Sequence, residues 1–207
     1  MIRVLFVGDG PRDAACLPAI IRTLIETDPG SPFRAWRHIR VGGYDRKLLF
    51  AIRAARDEKL DGVVAVVDSD KEKPRERLRK LQAGRDKDRV RFASLPTGLG
   101  EARPHVEAWL LDDATAVREA LQLSTKAMVP TIRQAKGNPK RVLCELISNS
   151  VSMSTAKSEE ASFLPFLERI ACRIDSRRCG HGKETGFEEF LNDLRREFRS
   201  LSLESRG

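Results

Sequence analysis

Apolar residues run unbroken over positions 63–67 and, apart from Arg3, over 2–7. Runs this short, dense in β-branched residues and lacking alternation, predict strands covered on both faces of a parallel sheet. Between them the spacing turns helical. Leu17, Ile20, Ile21, Leu24 and Ile25 share one face of a helix over 14–26, and Leu48, Leu49, Ile52 and Ala55 share one over 44–60. A more exposed strand, rich in Arg and His, is predicted over 33–41. A strongly basic helix follows over 72–84, then a fourth strand over 88–95, where Val90 and Phe92 alternate with polar residues. Strands alternating with helices predict an α/β fold: a parallel sheet of about four strands flanked by helices, with right-handed crossovers.

Beyond Leu95 the pattern changes. Residues 96–104 form a Pro/Gly-rich loop leading into a short helix that ends at Leu111. Helices are predicted over 114–123, 139–148, 159–174 and 185–201. The last places Phe187, Phe190, Leu191, Leu194, Phe198 and Leu201 on one core-facing stripe. The chain therefore divides into an α/β domain over 1–112 and a helical extension over 113–207 packed on it.

Composition narrows the class. With 207 residues, 41% of them hydrophobic and 33% charged, the chain has enough material for a folded core and is not disordered. No apolar run approaches the roughly 20 residues that cross a bilayer. The first residues run straight into strand-like sequence, with no signal-peptide pattern. A cytoplasmic protein without membrane contact is expected. The net charge of +8 favours a polyanionic partner, nucleic acid first. Cys16, Cys144, Cys172 and Cys179 form no Cys-x-x-Cys pair, and with His181 the last two have a spacing loose for zinc. Free thiols are expected.

The candidate chemistry lies at strand ends. The 63–67 run stops at Asp68 and Asp70, with Glu72 beyond, and the first strand stops at Asp9, just before Asp13. In an open α/β sheet, ligands bind at the carboxyl ends of strands. Residues two apart in an extended chain project to the same side, so Asp68 and Asp70 can share one hard cation such as Mg²⁺. If the two strands are neighbours, about 4.8 Å apart, Asp9, Asp13, Asp68 and Asp70 surround one cavity. Such clustered carboxylates repel unless a divalent cation or protonation offsets their charge. The plainer alternative is that these acids serve turns and helix caps.

Several folds collect acids in this way. A phosphate-binding loop is excluded, since Gly8-Asp9-Gly10-Pro11 lacks the Gly-Lys-Ser/Thr ending. A receiver domain would need a fifth strand, which is missing here, and a dehalogenase-type Asp-x-Asp belongs on the first strand and not the third. A PIN-type ribonuclease stays open on pattern alone.

Val7-Gly8-Asp9-Gly10-Pro11-Arg12-Asp13, followed by Val66-Val67-Asp68-Ser69-Asp70, resembles the Toprim (topoisomerase–primase) signature. Leu95-Pro96, then Val106-Glu107-Ala108-Trp109-Leu110-Leu111-Asp112, Asn138-Pro139-Lys140 and the Phe-rich last helix, resemble more narrowly a Toprim-like family of unknown function. Its relatives accompany ATPases of the overcoming-lysogenization-defect type in phage defence. The resemblance implies a Mg²⁺- (or Mn²⁺-) dependent nuclease acting on DNA or RNA beside an ATPase partner subunit. Asp68 and Asp70 would bind metal, with Asp9 as acid/base or further ligand and Asp13 and Glu72 in support. Toprim proteins usually carry Glu where this chain has Asp9. That departure keeps a second outcome open: a catalytically weak or inactive subunit that binds nucleic acid or a partner.

Other residues complete the expected site. Glu107 is a candidate third-wall carboxylate, the alternative being a helix-terminal acid favoured by the helix dipole. Arg12, Lys71 and Lys73 are expected to hold the nucleic-acid backbone. Glu101 is read as an exposed loop residue and a poorer candidate, His105 as structural with contact to phosphate as its alternative, and Trp109 as packing in preference to base stacking.

Overall fold

The computed structural model describes residues 1–70, 72–135, 137–150 and 160–199. Strand β1 (Val4–Gly8) is buried along its whole length and leads through Asp9-Gly10 into helix α1 (Pro11–Arg22), whose opening proline carries the fixed φ suited to a first helical turn. There follow β2 (Phe33–Ala35), α2 (Tyr44–Asp57), β3 (Gly62–Asp68), α3 (Glu76–Arg89) and β4 (Thr97–Ala102). The second half is helical: α4 (Val106–Asp112), α5 (Ala114–Ala120), α6 (Pro139–Ser150), α7 (Leu164–Ala171), α8 (Gly182–Thr185) and α9 (Phe187–Glu197).

The sheet has four parallel strands in the order β2-β1-β3-β4, with Val7 opposite Ala65 and Asp68 opposite Ala102. Alternate residues serve two cores. Leu5, Val7, Val63, Ala65 and Val67 pack with Leu48, Ile52, Leu78 and Leu81 of α2 and α3. Val4, Phe6, Val64 and Val66 pack on the other face with Leu17 and Ile20 of α1, Leu167 of α7 and Phe190 and Leu194 of α9. The connections leaving β1 and β3 therefore diverge. α1 travels on one face toward β2, and α3 on the other toward β4. Between the two strand tips this opens the crevice in which doubly wound sheets bind ligands.

Three expectations are corrected. The fourth strand is not at 88–95: α3 runs on to Arg89, leaving Val90 87% exposed and Phe92 half exposed. β4 instead occupies Thr97–Ala102, within the segment expected to be a loop. Its glycines mimic a loop, yet they are spaced for a strand. A Cβ at Gly98 would lie 2.9 Å from Leu194, and one at Gly100 2.7 Å from the Phe190 ring, so these positions let α9 lie directly on the strand. The second strand is cut short after Ala35. Trp36 turns inward in a 3₁₀ turn (Trp36–His38), donating its indole N–H to the Val66 carbonyl at 2.7 Å. Glu101 is not exposed but 1% accessible. Its carboxylate accepts the Arg75 N–H at 2.5 Å and the Leu78 N–H at 3.1 Å, capping α3. The predicted core stripe of the last helix holds for Phe187, Phe190, Leu191, Leu194 and Phe198, whereas Leu201 lies outside the described residues.

Candidate functional site

A pocket of about 290 Å³ opens between the tips of β1 and β3, lined by Asp9, Asp13, Asp68, Asp70, His105, Glu107 and Arg12 among others. The two strand tips are tied side chain to backbone: Asp9 Oδ2 accepts the Asp68 N–H at 3.0 Å. Asp9 is itself held by α1, because its own N–H donates to Asp13 Oδ2 at 2.5 Å. Gly8 permits that approach, since a Cβ there would stand 2.6 Å from Asp13 Cβ. Asp13 is 5% exposed, and burial followed by the Asp68 charge drives its carboxyl well above the ordinary aspartate range.

β3 ends in a turn built on polar contacts. Asp70 adopts a left-handed conformation at φ +47°, a state that Asp tolerates better than most residues. Arg77, in the first turn of α3, holds it there, with Nη1 donating to the Asp68 carbonyl at 2.7 Å and to Asp70 Oδ2 at 2.8 Å. Its Nε stands 3.0 Å from Glu72, which lies outside the pocket lining. The Arg77 guanidinium also lies over the Tyr44 ring, 5.6 Å from its centroid.

Asp68 is the focus of the electrostatics. Oδ2 faces His105 Nδ1 at 3.0 Å, while Oδ1 is buried without a hydrogen-bond partner. Burial pushes the Asp68 carboxyl up to about 6, against the opposing pull of His105. The same contact raises His105. Asp9 is raised too, by burial, despite the Asp68 N–H and the Arg77 charge. One donor atom each from Asp68, Asp70 and His105 lies within 4.8 Å of the other two. An orphaned carboxylate oxygen beside a second carboxylate and an imidazole fits a divalent cation. Two oxygens suit Mg²⁺, and the added nitrogen also suits Mn²⁺.

The expected residues divide accordingly. Asp68 and Asp70 converge with His105, Asp9 lines the same pocket with its carboxylate tied to the Asp68 N–H, and Asp13 serves the backbone of Asp9. Glu107 is buried and pairs with Arg12 Nη1 at 2.8 Å, and Arg12 Nε bonds Glu160 at 2.8 Å. Arg12 thus sits in the pocket with its charge already shared between two acids. Lys73 is exposed and outside the lining, and Lys71 lies outside the described residues. Trp109 is packing: it stacks on Phe190 at 5.1 Å and donates its N–H to the Thr185 carbonyl. The sequence reading missed the roles of His105 and Arg77, and it missed Arg37, Lys140 and Glu160, which complete the lining. Proximity to the Glu-Ala-Trp-Leu-Leu stretch was the one signal available for His105.

No protein-family model, no curated protein and no solved structure matches this chain. Among the described residues, no helix is long and apolar enough to cross a membrane.

Proposed function

We propose that the protein is a Toprim-like, Mg²⁺- or Mn²⁺-dependent nuclease that hydrolyses phosphodiester bonds of DNA or RNA. The observation that carries this reading is the buried, partnerless Asp68 Oδ1, set beside Asp70 and His105 at the divergence of β1 and β3. Asp68, Asp70 and His105 would hold the cation. When bound, it neutralises charge on the scissile phosphate and lowers the pKa of an attacking water. Asp9, raised by burial and fixed by the Asp68 N–H, is poised to hold or pass a proton beside the phosphate. Arg77 keeps Asp70 in its left-handed turn. The resemblance to Toprim nucleases supports a phage-defence role beside an ATPase partner.

A second reading rests on one observation. The short Asp9 side chain, where Toprim proteins carry Glu, is engaged with the neighbouring strand. A carboxylate so held favours a catalytically weak or inactive subunit that binds nucleic acid or a partner. Incubation of plasmid, single-stranded DNA and RNA with Mg²⁺ or Mn²⁺ separates the two. Cleavage lost in Asp68→Ala and Asp70→Ala supports the nuclease. Binding without cleavage, indifferent to both substitutions, supports the binding subunit.

A further inference from the structure

The pocket has a second, cationic side. Around Glu160 its lining is completed by Arg37 and Lys140. Among the described residues no carboxylate lies within 4.0 Å of the Arg37 guanidinium, and Lys140 Nζ has Glu160 alone, at 4.0 Å. That carboxylate already takes the Arg12 Nε at 2.8 Å. Arg37 and Lys140 therefore share with Arg12 the single carboxylate of Glu160, which leaves this side of the pocket with an excess of positive charge.

Both sit on elements that the fold pins in place. Arg37 follows Trp36, which is 2% exposed and bonded to the Val66 carbonyl of β3. Lys140 is the second residue of α6, a helix opened by Pro139, whose early Arg141 N–H donates to Asn138 Oδ1 at 3.1 Å. Buried Leu143 and Ile147 fasten that helix to the core. Cations on fixed backbone lose less freedom on meeting an anion than cations on a loose loop.

We propose that Arg37 and Lys140 form a clamp for backbone phosphates, holding a nucleic-acid strand beside the acidic tips of β1 and β3. This inference rests on the nuclease reading and assigns the substrate-gripping residues for it. A polyanion approaching Asp9, Asp68 and Asp70 meets repulsion, and the clamp supplies compensating attraction within the same 290 Å³ pocket. The clamp grips phosphate and not bases, so it predicts affinity without sequence preference.

Salt dependence tests this directly, because removing a cation that neutralises one phosphate makes log K fall less steeply with log salt. The slope changes by about 0.7 on a single strand and by about 0.9 on a duplex. Binding of a fluorescent oligonucleotide is followed by anisotropy across a KCl series in EDTA, with Asp70→Asn as the parent chain. Asparagine keeps the left-handed preference of that position while removing one repelling charge. Arg37→Gln and Lys140→Gln are each expected to make the slope shallower by about 0.7 on the single strand, and the double variant by the sum of the two. Arg37→Lys and Lys140→Arg should retain the parent slope. Arg91→Gln, beyond α3 at the opposite edge of the sheet, should retain it as well. A double variant with unchanged slope and affinity overturns the clamp and leaves the nuclease reading standing. A parent chain that binds no nucleic acid even at low salt also overturns the clamp, whereas the nuclease reading falls only if the wild-type chain with Mg²⁺ or Mn²⁺ cleaves none.

Discussion

The Asp9 carboxylate accepts the backbone N–H of Asp68 at 3.0 Å, joining the tips of two neighbouring parallel strands across 59 positions of sequence. The residue expected to perform chemistry is thus also a structural tie. Asp9→Ala would leave the Asp68 N–H without its acceptor and is expected to cost about 1–3 kcal/mol. Asp9→Asn keeps an acceptor oxygen and should lose under about 1 kcal/mol, while removing the charge required by the proposed chemistry. Urea unfolding of both variants, set beside the cleavage assay, separates the two roles of this side chain.

The Asp68–His105 pair makes the metal-free protein sensitive to pH. In the unfolded chain Asp68 releases its proton near the ordinary value of about 3.9. In the folded chain it holds the proton up to about 6. Between these values the folded state binds more protons, so stability falls as pH rises. His105 is shifted upward, so its contribution is complete below about 6.5 and fades as pH passes its raised value. Both act in one direction. Unfolding curves without metal should show lower stability at pH 8 than at pH 5, with Asp68→Asn flattening the fall and proving the more stable chain at pH 8. Mn²⁺ should stabilise the parent at pH 8 and leave Asp68→Asn unmoved.

Gly8 is set by contact with Asp13. Gly8→Ala places a methyl group 2.6 Å from Asp13 Cβ, within buried structure that cannot easily yield. A loss of about 1–3 kcal/mol is expected. Asp13 would be pushed off the Asp9 N–H, and calorimetry should record weaker Mn²⁺ binding in the same variant. Wild-type stability and affinity in that variant would show that the β1 tip tolerates repositioning.

Glu101 is a structural acid lying outside the pocket lining. Glu101→Ala removes the acceptor for the Arg75 and Leu78 N–H groups and is expected to cost about 1–3 kcal/mol. Hydrogen exchange should quicken at the first turn of α3. Mn²⁺ binding should remain near wild type, because Glu101 does not line the pocket.

Some of this was legible from local pattern. The 63–67 run marked β3, the acids beyond it marked the edge where the pocket lies, and the Phe-rich stripe marked α9 as core. β4 escaped because Gly98 and Gly100 look like loop residues until α9 is laid over them. Val90 and Phe92 misled for the opposite reason, since their alternation belongs to no sheet and both are exposed. Glu101 looked like solvent-facing charge because nothing near it in sequence reveals that α3 begins at its carboxylate.

The order of apolar and polar residues by itself determined a parallel α/β sheet with aspartates at the ends of two strands, because strand burial and helix faces depend on neighbours a few positions apart. It also carried the basic balance that points to a polyanion. Tertiary structure decided which strands adjoin and so which carboxylates meet. It placed His105 against Asp68, took Glu107 and Glu72 into pairing with Arg12 and Arg77, and brought Arg37 and Lys140 to the same pocket from distant segments. Those partnerships arise only when the chain closes on itself, since a charge at a buried strand tip is set by whatever the fold packs around it.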